Sequence, residues 1–241
     1  MKKLLALLLG LSISTTAVAD VSSDFQTISI EDGLDRNERR VREAAVKVTD
    51  GRGHGSGGIV QYYDLQLVLT AQHVADGRIG GNYFVINGAT MERAILVYSD
   101  PVHDIAVLYL AEGNQLEGRG LRYSPTSDMS RIGTGITYSG HPSWHSLMTY
   151  RGHIAGMEHI DGRGPQLMLN TYGWFGCSGS VIYDNSGDIV GVLWGVDIET
   201  RPDYQVQENM IWVSPIQNID MSLAISELCI ALEQEPRACR K

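Results

Sequence analysis

Three short segments of this 241-residue chain carry side chains that together can do nucleophilic chemistry. In Leu69-Thr70-Ala71-Gln72-His73-Val74 an apolar run ends at a histidine, and the turn signal Asp76-Gly77 follows. In Pro101-Val102-His103-Asp104-Ile105-Ala106-Val107-Leu108 an aspartate stands at the mouth of an apolar run. In Gly173-Trp174-Phe175-Gly176-Cys177-Ser178-Gly179-Ser180 a serine lies between glycines and leads into Val181-Ile182-Tyr183. A serine hydroxyl is a weak nucleophile until a neutral imidazole takes its proton, and a buried carboxylate fixes the imidazole tautomer and stabilises its cation. The order histidine, aspartate, serine therefore predicts His73 as general base and then acid, Asp104 as its orienter and Ser178 as the acyl-forming nucleophile. The bland alternatives are a core histidine, a strand-capping aspartate and a turn serine.

Other patterns are weaker on inspection. Gly53-His54-Gly55-Ser56-Gly57-Gly58 fits Gly-x-Gly-x-x-Gly, but a dinucleotide site needs a helix next, and Ile59 to Tyr63 reads as a strand. The segment is expected to be a turn between strands. An α/β-hydrolase elbow needs glycine at position 180, which is Ser180, and the opposite triad order. Asp184-Asn185-Ser186-Gly187-Asp188 lacks the downstream glutamate of a calcium loop and reads as a hairpin turn. No zinc spacing occurs, and His141, His145, His153 and His159 recur irregularly, so neither metal nor cofactor is expected. Cys177 is chemically the better nucleophile, but neighbouring side chains point apart, so a buried, non-catalytic thiol is expected.

The elements that must position these residues are short strands. Ala45–Val48, Gly57–Tyr63, Leu65–Thr70, Tyr83–Ile86, Ala94–Val97 and Ile105–Tyr109 are apolar or alternating runs punctuated by Gly, Asp and Asn. Gly135–Ser139, Leu147–His153, Leu167–Thr171, Ser180–Tyr183, Ile189–Leu193 and Met210–Val213 form a second series. The reading is all-β, with two six-stranded antiparallel β-barrels, residues 45–123 and 135–214, joined by a linker at 124–134. Asp35 and Glu38 have capping-box spacing, so a short helix closes the arm at 20–44. Apolar spacing from Ile219 to Leu232 predicts a C-terminal helix within 215–241.

Composition bounds the function. A formal charge of -9 and a pI of about 5.2 argue against nucleic acid as a partner. Residues 1–19 read as a signal peptide: Lys2 and Lys3, the apolar run Leu4 to Leu11, then Ala17-Val18-Ala19 before a cut at Asp20. The run is too short to span a bilayer, and no later segment is long enough, so no stable membrane insertion is expected after its removal. Export, periplasmic or secreted, makes a disulfide plausible. Cys229 with Cys239 is the expected pair, leaving Cys177 single.

The same segments resemble the trypsin-like, chymotrypsin-fold serine peptidases. Thr70-Ala71-Gln72-His73 is similar to the family's Thr-Ala-x-His, Asp104-Ile105-Ala106-Val107-Leu108 to its Asp-Ile-Ala-Leu-Leu, and Gly176-Cys177-Ser178-Gly179-Ser180 to its Gly-Asp-Ser-Gly-Gly. Ile189 to Gly195 resembles the segment ending Val-Ser-Trp-Gly that lines the substrate cleft. The intervals between the three residues are closer to the bacterial Deg/Htr peptidases and glutamyl endopeptidases than to the digestive enzymes. The resemblance implies a polypeptide substrate and an oxyanion hole from the amides of Gly176 and Ser178. It also implies that Tyr172, Gly173, Leu193, Trp194 and Gly195 bind substrate, with Tyr172, Gly195 and Glu208 to Met210 lining the primary pocket. No PDZ-type domain has room after Val213, so a single-module enzyme is expected. Cys177 replaces the aspartate that pairs with the new N-terminus in trypsin, so that activation switch is expected to be missing. A lapsed enzyme on the same fold, acting as a binding protein, is the alternative.

Overall fold

The computed structural model describes residues 33–127, 131–200, 202–232 and 236–240. The expected signal peptide and most of the arm after it lie outside the described residues. Helix α1 (Arg36–Ala44) starts at the expected capping box. The Asp35 carboxylate accepts from Glu38 N at 2.8 Å, and the Glu38 carboxylate accepts from Asp35 N at 2.7 Å. Val41 and Ala44 face the core, while Arg151 of the second barrel donates to both Glu38 oxygens. That hydrogen bonding holds the Glu38 carboxyl below its ordinary range against the effect of burial.

The first barrel uses β1 (Ala45–Thr49), β2 (His54–Tyr62), β3 (Leu65–Thr70), β4 (Asn82–Asn87), β5 (Thr90–Asp100) and β6 (Ile105–Leu110). They run in the order β1-β4-β5-β6-β3-β2 and close on β1, all antiparallel. A two-residue β7 (Leu121–Arg122) lies parallel to β2 outside the ring. The second barrel closes in the order β10-β13-β12-β11-β8-β9. Its strands are β8 (Gly135–Gly140), β9 (Met148–Ile160), β10 (Gly164–Asn170), β11 (Val181–Asp184), β12 (Ile189–Glu199) and β13 (Gln205–Pro215). The two barrels of the sequence reading are therefore present, and the Asp184–Asp188 segment is the hairpin turn expected, with Asp184 Oδ1 accepting from Ser186 N and Asp188 N.

Burial explains why some strands alternate and others do not. Every residue of β3 and of β6 is buried. One face of these strands packs inside the barrel, as Val68, Ala106 and Leu108 do. The other face, with Leu67, Leu69, Ile105 and Val107, meets Val181, Val192 and Ile216 across the seam. A strand covered on both faces reads as a continuous apolar run. A third cluster fills the second barrel around Tyr138, Leu167, Ile182 and Leu193.

Two expectations need correction. Gly53 to Gly58 is not a turn: β2 begins at His54 and runs through the glycines. A Cβ on Gly58 would lie 2.7 Å from Val181 Cγ2, and one on Gly55 2.8 Å from Ser178 O, so glycine lets this strand lie against the second barrel. The C-terminal helix is two short ones, α2 (Met221–Ala224) and α3 (Ser226–Ala231), which turn at Ile225 (φ -103, ψ 6). Buried Ile225 leaves helical geometry there, and Leu223, on the expected apolar face, is exposed. Cys229 and Cys239 are bonded as expected. The tail is also held by Asp64, whose carboxylate accepts from Arg237 N at 2.7 Å and Ala238 N at 3.2 Å. Among the described residues no helix is long and apolar enough to cross a membrane.

Candidate functional site

His73 leaves β3 in a tight turn, in which Val74 N and Ala75 N donate to Ala71 O. Asp104 stands just before β6, with its backbone in the left-handed region (φ 58), a conformation that aspartate tolerates better than most residues. Its carboxylate accepts from His73 N at 2.9 Å and lies 2.9 and 3.1 Å from His73 Nδ1. An ionised carboxylate can only accept, so Nδ1 carries a proton, and in the neutral ring the lone pair is on Nε2. Asp104 is 5 % exposed. Burial alone raises its carboxyl, but the hydrogen bonds from His73, with the charge of Arg163, outweigh burial and hold it below the ordinary aspartate value.

Ser178 rides on a turn that both barrels clamp. Gly176 (φ 94) and Gly179 (φ 91) flank it in a region open to glycine. A Cβ on Gly176 would run into His141 O, and one on Gly179 into Ser56 O and Thr70 Oγ1. From the first barrel, Ser56 N donates to Ser178 O at 2.7 Å and Ser56 Oγ donates to Gly176 O at 2.7 Å. From the second, Ser143 N donates to Phe175 O at 2.8 Å and Gly179 N to Leu193 O at 2.7 Å. A trans peptide holds its N–H opposite its carbonyl, so the Phe175–Gly176 unit aims its N–H away from Ser143. Among the described residues neither Gly176 N nor Ser178 N donates to a protein acceptor.

His73, Gly176 and Ser178 line one cleft of about 540 Å³, together with His54, Phe175 and Asp76. The hydrogen bonds of the described residues join His73 to Asp104 but include none between Ser178 Oγ and His73. Such contacts are commonly long without substrate and tighten when it binds. Burial lowers His54 and pushes His141 down to about 4, which favours the neutral ring in both beside the Gly176 turn. The Cys177 thiol is fully buried and does not line the cleft; burial raises its pKa.

Of the residues expected to bind substrate, Tyr172 packs against Tyr150, with ring centroids 5.2 Å apart and planes tilted by 33°, and faces a second cleft of about 320 Å³ shared with Met148 and Trp174. Gly173 packs so closely on Ile211 that a Cβ would overlap its side chain, and its N–H donates to Glu208 O at 2.6 Å. Leu193 is buried, with its amide donating to Ser180 O. Trp194 stacks on Trp212, whose Nε1 donates to Asp197 Oδ1 at 3.3 Å. No group of three or more metal-ligating side chains occurs among the described residues. Sequence reading missed Ser56, Ser143 and Arg163. Ser56 had a signal in its glycine neighbours, which fit close backbone approach.

Comparison with known proteins agrees with this architecture. A model of the trypsin-like peptidase domain matches residues 55–192. No curated protein matches the sequence. An inactive form of Rv3671c from M. tuberculosis H37Rv is similar in structure, with TM-score 0.61 and 17% identity over 83% of this chain and 93% of that one. A serine endoprotease from Yersinia pestis gives TM-score 0.61 and 20% identity over 81% of this chain and 65% of that one. The HtrA-type protease AlgW with tripeptide gives 0.63 and 20% over 80% and 62%. At these identities the structures speak for the fold.

Proposed function

The chain belongs to the trypsin-like peptidase family, and from that premise we propose that it is an exported serine endopeptidase cutting polypeptides through an acyl-enzyme. The observation that carries the reading is the His73 Nδ1–H bond to buried Asp104, which leaves the Nε2 lone pair available in the cleft that Ser178 also lines. Nε2 takes the Ser178 proton as Oγ bonds to the substrate carbonyl carbon, and the resulting imidazolium gives that proton to the leaving amine. Water then enters by the same route and releases the acyl group. Asp104 stabilises the imidazolium in both halves.

The amides of Gly176 and Ser178 receive the oxyanion, and the clamps from Ser56 and Ser143 hold them in place before substrate arrives. In Gly176→Ala the added Cβ would run into His141 O and swing the Gly176 N–H, which alanine keeps, off the oxyanion, so kcat is expected to fall by roughly 10²- to 10³-fold, the size of one misplaced donor. Steady-state kinetics on a peptide substrate check this, and an unchanged kcat in folded protein contradicts the oxyanion role. Lys2, Lys3, the apolar run Leu4 to Leu11 and Ala17-Val18-Ala19 support export to a periplasm or the medium, as does the Cys229–Cys239 bond.

Digestion of a peptide library, with product termini identified by mass spectrometry, tests the activity. Internal cuts at a consistent side-chain preference are expected. Intact peptides that stay bound to folded protein without cleavage would favour the binding-protein alternative and overturn the enzyme reading.

A further inference from the structure

Buried Asp104 has a second charged neighbour besides His73. The turn from β9 to β10, in which Arg163 N donates to Ile160 O at 2.9 Å, carries Arg163 to the first barrel. There its Nη1 lies 3.6 Å from Asp104 Oδ2. The guanidinium carbon sits 4.4 Å from the Trp194 ring centroid. Trp194 is fixed in turn, since its Nε1 donates at 2.9 Å to Oε1 of fully buried Gln166. Arg163 Nη1 is buried and makes no hydrogen bond among the described residues. At this separation the pair attracts through charge rather than through a hydrogen bond, and the planar cation is held by the indole face.

We propose that Arg163 is a positioning residue for the His73–Asp104 pair: seated on Trp194, it holds the carboxylate from the other barrel and opposes protonation of the imidazole, extending activity toward acid pH. The proposal rests on His73 being the general base. Other charges face the same pair. His103 is bonded to Asp100 at 2.7 Å on the turn that carries Asp104, and Asp50, Arg52, His54 and Asp76 surround the cleft. Asp50 and Arg52 pair with each other at 2.6 Å, which leaves Arg163, among the described residues, as the side-chain cation directed at Asp104.

The sign of the effect separates this role from a structural one. Removing a nearby cation makes the imidazole easier to protonate, whereas loosening Asp104 removes the anion that favours the imidazolium and makes protonation harder. The experiment is an NMR titration of the His73 ring in a Ser178→Ala background, which prevents self-cleavage, paired with kcat/KM against pH in chains that keep Ser178. Arg163→Met is expected to move the ring midpoint up by about half a pH unit, and the acid limb of the rate profile with it. Arg163→Lys keeps the charge and is expected to stay within roughly 0.2 of the starting midpoint. A midpoint that stays put or falls in Arg163→Met overturns the proposal. The ring titration needs no turnover, so an inactive chain sinks the peptidase reading while the Arg163 contact is still decided.

Discussion

Ser178→Ala is expected to lower kcat for peptide hydrolysis by about six orders of magnitude while leaving the fold and substrate binding intact. The magnitude follows from the unit character of nucleophile, base and orienter, in which losing one member costs nearly as much as losing all. The substitution removes one oxygen from a turn that is held by backbone hydrogen bonds to Ser178 O and Gly176 O, so the clamps survive. The adjacent Cys177 thiol cannot replace it, because the thiol is fully buried and burial disfavours its thiolate. Steady-state rates, checked for contaminating protease, measure the loss. Residual turnover within tenfold of the parent, or turnover abolished by iodoacetamide, contradicts the assignment of the hydroxyl as nucleophile.

Asp104→Asn is expected to lower kcat by about 10⁴-fold with KM little affected. Asn fills the same volume and tolerates the left-handed backbone at position 104. Its side-chain oxygen can still accept from His73 N. The amide NH₂ group then faces Nδ1, which must become the acceptor, and the ring proton moves to Nε2, where the base is needed. The result is a correctly shaped site holding the wrong tautomer. A loss smaller than tenfold in the pH range where the parent is active would mean that the Asp104 contact orients nothing.

Much of the proposed site was legible because the side chains assigned to it sit in contiguous motifs. His73, Asp104 and Ser178 each end or begin an apolar run, and their order alone excluded the α/β-hydrolase arrangement. The barrels were legible for the same reason, through apolar runs punctuated by turn residues. What stayed hidden depends on contacts distant in sequence. Gly53 to Gly58 looks like a loop because glycine weakens a strand, yet its value is the lack of a Cβ where β2 approaches the Ser178 turn. Arg163 is one of 19 basic residues, and only the length of the β9–β10 hairpin brings it to Asp104. The direction of Tyr172, toward Tyr150 rather than into a pocket with Leu193, follows from aromatic packing that no local pattern encodes. The break at Ile225 likewise falls in a stretch whose apolar spacing fits a continuous helix.

Covalent trapping decides the matter most directly. Folded chain treated with a fluorophosphonate probe, digested and mapped by mass spectrometry, is predicted to carry one phosphonyl group on Ser178 and none in Ser178→Ala. Folded chain that takes up no probe, or takes it up at another residue, contradicts the account.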